Sequence, residues 1–300
     1  PQQGPIFYAF DPQDARDKRR TFVRETSCLR CHGEGMMEQN PVLFARSLIA
    51  TEQGEPLRRH GSELITEQTS FERRWGGWYV TGYEGKLNHR GNAFGRERDG
   101  QFDFSPSEKR PADLSAFFDT SRYLAATSDV VALLVFEHQM AVQNSLLRAA
   151  QSVRQALGAS PNDATKLETV LSSGAEDVLD HLLFRGAASL PDGVKGSEAF
   201  VRAFLADAQR SKQGHALKDL SLRDRLFTNR CSFVIYSELF AALPDLLKHR
   251  ILDRLGAALH NDDSGARYAY LEKDERRRIH EVLRETLPAA RGYFAKHERP

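Results

Sequence analysis

Val130-Val-Ala-Leu-Leu-Val-Phe-Glu-His-Gln-Met140 is the most apolar stretch of the chain, and its reading sets the fold class. Ser128 stands where a helix cap belongs, and few breakers interrupt residues 130–157 before Gly158. One long helix is expected there. Toward the C-terminus the signals stay helical. Ser160-Pro161 opens one helix, residues 175–184 read as another, and residues 197–213 carry Phe200, Val201, Phe204 and Leu205 on one face. Leu246, Leu247, Ile251, Leu255 and Leu259 form an apolar stripe, and residues 274–287 close the set. Runs such as Glu275-Arg-Arg-Arg278 read as solvated faces. Residues 128–300 are thus a helical region, and residues 1–127, with shorter elements, pack on it in one continuous unit.

A chain of 300 residues is long enough to bury a sizeable core. Its charged residues nearly balance, with a formal net charge of +1, so no long-range field draws it to nucleic acid or an acidic membrane. Its best apolar run, residues 130–136, falls short of the roughly 20 residues of a membrane span. The chain starts at Pro1 without a methionine, as expected after loss of a leader or of a larger N-terminal part.

Three cysteines are no disulfide framework. Cys231 stands alone and reads as a small core residue. The other two lie in Cys28-Leu-Arg-Cys-His32. Cys-x-x-Cys-His is the attachment signature of c-type haem. Two thiols that add to two vinyl groups must lie one helical turn apart, and the next residue then falls under the iron as an imidazole ligand. A thioredoxin-type site would need a βαβ setting, whereas Gly33 and Gly35 end any helix here. Zinc would need a second ligand pair, which the sequence lacks. One covalent haem c is therefore expected on Cys28 and Cys31, with His32 as axial ligand. Asp11 and Pro12 open a polar helix over residues 14–26, with Phe22 and Val23 turned inward, that delivers the motif.

Between motif and long helix, residues 42–50 are apolar and a turn at residues 52–56 follows, giving a short strand pair or an extended excursion. In Phe71-Glu-Arg-Arg-Trp-Gly-Gly-Trp-Tyr-Val-Thr-Gly82, Trp78 and Val80 alternate with Tyr79 and Thr81 as in a strand. Trp75, Trp78 and Tyr79 form either a tight aromatic core corner or a wall of the haem pocket. Arg73, Arg74 and Arg90 either pair with haem propionates or are surface charges.

Cys28-x-x-Cys-His32, Arg74-Trp-Gly-Gly-Trp-Tyr-Val-Thr-Gly82, His89-x-Gly-Asn92, Glu137-His-Gln139 and Ser232-x-x-Ile-Tyr-Ser237 occur in that order across nearly the whole chain. Together they resemble a family of bacterial monohaem c-type cytochrome-domain proteins. The resemblance implies covalent haem and export, to the periplasm or beyond, and brings no reaction with it. In that family a histidine often stands where Glu84 and Gln143 are here, so neither position is a required ligand in this chain. The expected architecture is mainly α: a multi-helix, cytochrome c-like protein with a small β hairpin near the haem.

The sixth iron position decides function, since a strong ligand makes an electron carrier and an open site admits small molecules. His138, in the most apolar helix, must find a partner or suffer desolvation. His89 sits on a glycine-flanked loop. Met140 is two positions from His138 and points elsewhere. His138, His89, Met140 or an open site are the alternatives. His60 lies in a turn, and His181, His215, His249, His260, His280 and His297 sit in charged helical or terminal contexts and read as ordinary. Electron transfer to a redox partner protein is the leading expectation. A haem enzyme with Glu137 or Glu84 as acid–base group, or a redox or gas sensor, follows if the iron is open.

Overall fold

The chain folds around one thirty-residue helix that takes part in both of its apolar clusters. The computed structural model describes residues 4–9, 22–32, 41–82, 85–104, 111–159, 162–260 and 267–294. The architecture is mainly α with small antiparallel hairpins, and 45% of it is helical. Three two-stranded antiparallel sheets come first: β1 (Tyr8–Ala9) with β2 (Val23–Arg24), β3 (Ala45–Leu48) with β4 (Ser62–Ile65), and β5 (Gly95–Arg98) with β6 (Gln101–Phe104). A single turn of helix, α1 (Leu29–His32), follows β2. The helical half is α2 (Val130–Ala159), α3 (Ala164–Leu182), α4 (Glu198–Leu205), α5 (Glu238–Ala241), α6 (Asp245–His260), α7 (Lys273–Thr286) and α8 (Arg291–Phe294).

α2 is the expected long helix, but Asp129 rather than Ser128 starts it. Asp129 Oδ1 accepts from the N–H groups of Val131 and Ala132 at 3.0 and 2.9 Å, while the Ser128 carbonyl accepts from Thr81 N–H. By length and composition α2 is apolar enough to cross a membrane, yet sixteen of its residues are buried inside the fold, Glu137 and His138 among them. α3 is one continuous helix where the sequence suggested two. Asp163 caps it by accepting from Lys166 N–H. Gly174 lets it lie close on α2: a Cβ there would stand 3.1 Å from the Ala149 Cβ.

One apolar cluster joins the middle and end of α2 to α3, α6, α7 and α8, and holds Cys231, fully buried as expected. The second joins the first turns of α2 to Trp75, Val80, Leu87, Phe184 and Phe227, so it draws on residues from both sides of position 127. On α6, Leu247, Ile251, Leu255 and Leu259 are buried, whereas Leu246 is exposed.

Four other expectations are corrected. α4 ends at Leu205, well short of residue 213. Glu275 and Arg276 are buried, because Arg230 forks onto the Glu275 carboxylate and the Arg276 guanidinium reaches the Tyr268 carbonyl. Residues 78–80 form no strand. The Asn92 side chain takes a strand's role instead: its carbonyl accepts from Val80 N–H at 2.8 Å and its NH2 donates to the Val80 carbonyl at 2.9 Å. Most of the expected helix over residues 14–26 lies outside the described residues, but its end is the strand β2, and Phe22 and Val23 are exposed.

Candidate functional site

The β1–β2 ladder leads directly into the cysteine motif. Glu25 N–H bonds the Phe7 carbonyl, and the Glu25 carboxylate accepts from Ser27 N–H at 2.7 Å. α1 is then closed by Cys31 and His32 N–H groups that both bond the Cys28 carbonyl, at 3.1 and 3.0 Å. Cys28 and Cys31 are thus on one turn, both free thiols, the first half-buried and the second exposed.

His32 is held from two sides. Its ring stacks on Phe44 with centroids 4.3 Å apart and tilts against Phe7 at 4.9 Å. Its Nδ1–H donates to the Val42 carbonyl at 2.9 Å, since a carbonyl can only accept. That bond fixes the tautomer and leaves the Nε2 lone pair as the ring's coordinating position. The Val42 segment is itself anchored. Leu43 N–H bonds Asn144 Oδ1 and the Leu43 carbonyl accepts from Asn144 Nδ2, which ties residues 41–44 to α2. Around the motif Ile6, Tyr8, Val23 and Leu29 are exposed. Two thiols one turn apart, an oriented imidazole and an uncovered apolar surround fit the donor set and cover that a covalent haem requires.

The remaining predicted site residues are engaged within the fold. Arg74 is 2% exposed and committed inside the fold. Its Nη1 donates to Glu137 Oε2 at 2.7 Å, Nε to the Thr69 carbonyl and Nη2 to the Glu67 carbonyl. It is neither a surface charge nor placed as a propionate partner. Trp75 is fully buried, takes a left-handed φ of 64°, and donates Nε1–H to Glu137 Oε1 at 2.6 Å. Burial pushes the Glu137 carboxyl up to about 7 against the pull of Arg74 and Trp75. Trp78 donates to the Arg46 carbonyl. Tyr79 packs among Phe94, Phe117 and Phe118. Of the three aromatic residues Trp75 is fully buried, whereas Trp78 and Tyr79 are half-buried. Arg73 pairs with Glu63.

Each candidate distal histidine has one ring nitrogen engaged inside the fold. His89 is buried edge-on against Trp75, and its Nδ1 accepts from Gly91 N–H, so Nε2 carries the proton. His138 is 1% exposed, stacked on Phe184, with Nε2 at 2.7 Å from Ser232 Oγ. Burial pushes its pKa down to about 4, so it stays neutral. Met140 is buried in the second apolar cluster.

The sequence reading missed Glu67 and His181. Glu67 Oε1 pairs with His181 Nδ1 across 114 positions, within the same buried polar group as Arg74, Glu137 and His138. A buried apolar face on α3 was the only local signal for His181. No group of three or more metal-ligating His, Cys, Asp or Glu side chains occurs among the described residues. In comparisons with known proteins, no family model, no curated protein and no solved structure matches this chain.

Proposed function

We propose that the protein is an exported monohaem c-type cytochrome acting in electron transfer with a redox partner protein, its haem bound through Cys28 and Cys31 with His32 as an axial ligand. The observation that carries this reading is the His32 tether. An imidazole whose Nδ1–H is held by a backbone carbonyl, one residue after two thiols on the same turn, is oriented to present Nε2 to a metal. Haem, when bound, supplies a one-electron iron centre. The chain's residues attach it, orient the ligand and offer apolar cover at Ile6, Tyr8, Val23 and Leu29. Because attachment of c-type haem is completed outside the bacterial cytoplasm, the reading includes a periplasmic or otherwise exported location.

The test is production of the chain with a cytochrome c maturation system. The matured protein is expected to carry one haem that survives denaturing electrophoresis, and the C28A/C31A double variant none. A colourless matured protein, or covalent pigment in the double variant, would overturn the proposal.

A second reading, an open iron site serving a haem enzyme or a gas sensor, is favoured by one observation: His138 and His89 are both buried, with Nε2 of the first and Nδ1 of the second bonded inside the fold. Optical and EPR spectra with and without carbon monoxide separate the two. Low-spin spectra indifferent to carbon monoxide require His138, His89 or Met140 to leave its present surroundings, and support the carrier. High-spin iron that takes up carbon monoxide supports the open site.

A further inference from the structure

A cavity of about 200 Å3 lies between Glu67 and His138. Phe71, Leu134, Phe184 and Phe227 give it apolar walls, and the exposed Ser189 and Asp224 stand at its rim. Glu67 is 7% exposed and its Oε2 has no partner; His138 is 1% exposed and its Nδ1 has none. Orphaned buried atoms of this kind are rare, because each forgoes hydration without replacing it.

Their roles follow from Ser232. It is fully buried, and its Oγ accepts from Val234 N–H. Among the described residues its hydroxyl proton has one acceptor, His138 Nε2. The neutral His138 ring then carries its own proton on Nδ1, as a donor in the cavity wall. Glu67 is held ionised by His181, so its Oε2 is an acceptor on the same cavity. A hydroxyl is the group that accepts from one and donates to the other.

Water meets that polar requirement, but not the shape. A dry cavity of ~150 Å3 accommodates a benzene ring, and three phenylalanines supply faces and edges for one. Arg225 Nε, also buried and without a partner, lines the same space and suits an oxygen on the ring's far side. We propose that this cavity binds a small phenolic compound, its hydroxyl accepting from His138 Nδ1–H and donating to Glu67 Oε2, its ring packed on Phe184 and Phe227. The inference needs no iron, and it requires His138 to keep its place beside Ser232 rather than to ligate iron.

The probe is phenol, with toluene as the ring without the hydroxyl, titrated calorimetrically into the full matured chain. Phenol is expected to bind saturably at one site and toluene at least about tenfold more weakly, the worth of a hydrogen bond to a charged group. A188F fills the cavity from its wall and is expected to abolish phenol binding. E67Q removes the anionic acceptor and is expected to weaken it about tenfold. Thermal unfolding checks that each variant folds, and E67Q decides alone if A188F does not. Absence of saturable phenol binding means that water fills the cavity, and overturns the proposal. So does equal affinity for toluene, or phenol binding unchanged in the variants.

Discussion

Arg74 and Glu137 form a buried ion pair at 2.7 Å that joins the tryptophan-rich turn to α2. Both side chains are almost sealed from solvent, and each makes further hydrogen bonds: Trp75 supplies the second donor to Glu137, and Arg74 spends two more donors on carbonyls. Removing one partner strands a charge. R74M is expected to lower unfolding stability by about 3–5 kcal/mol, read from urea midpoints. E137Q keeps an acceptor for Trp75 and is expected to cost less. Equal losses would show that the carboxylate charge is irrelevant.

The Glu67–His181 pair predicts a pH dependence. Burial works to raise Glu67 but is outweighed by the hydrogen bond and charge of His181, which hold it below its ordinary 4.5. Burial works to lower His181 but is outweighed by Glu67, which holds it above 6.5. Stability from Glu67 is present above pH 4.5 and lost as pH falls through its folded value. Stability from His181 is present below pH 6.5 and lost as pH rises through its raised value. The advantage of the native chain over H181N should therefore shrink on raising the pH above 6.5. A difference that holds steady into the alkaline range would sink this account.

Thiol titration gives a third prediction. Burial pushes the Cys231 thiol up to about 12 and seals it from reagents. The haem-loaded native protein should show no reactive thiol, and the denatured protein one. The chain without haem should show two that react at once, from Cys28 and Cys31.

Two glycines should respond in opposite directions to alanine. At Gly76 an added Cβ would stand 2.6 Å from the Leu48 carbonyl oxygen, on the strand that accepts and donates around that turn. G76A is expected to destabilise by about 1–3 kcal/mol. Gly158 lies in the last turn of α2 with nothing near its Cβ position. G158A is expected to stabilise by up to about 1 kcal/mol. Matched denaturation curves check the pair.

Local pattern revealed α2, the α6 stripe, the buried Cys231 and the one-turn spacing of the cysteine motif, because each depends on neighbours within a few positions. Long-range pairing stayed hidden. Glu275 sits in a charged run and reads as solvated, yet Arg230, 45 positions away, takes it into the interior. His181 looks ordinary until Glu67 arrives from 114 positions upstream. Residues 78–81 alternate like a strand, but an asparagine amide meets the Val80 backbone, and Thr81 alone makes a bridge, to Asp129. His138 and His89 read as candidate ligands in the sequence, and in the fold one nitrogen of each is bonded to a serine and a glycine respectively.

Glu137 and Asn144 are seven residues apart on α2, which is two turns, about 10.5 Å, and nearly the same azimuth. One grips the Arg74 turn and the other grips Leu43, next to the carbonyl that aims His32. The helix therefore works as a ruler with two fixed marks. One residue inserted between them would swing Asn144 through about 100° and release the clasp on residues 41–44. The angle of the His32 ring is thus gauged by the pitch of a helix more than a hundred positions downstream.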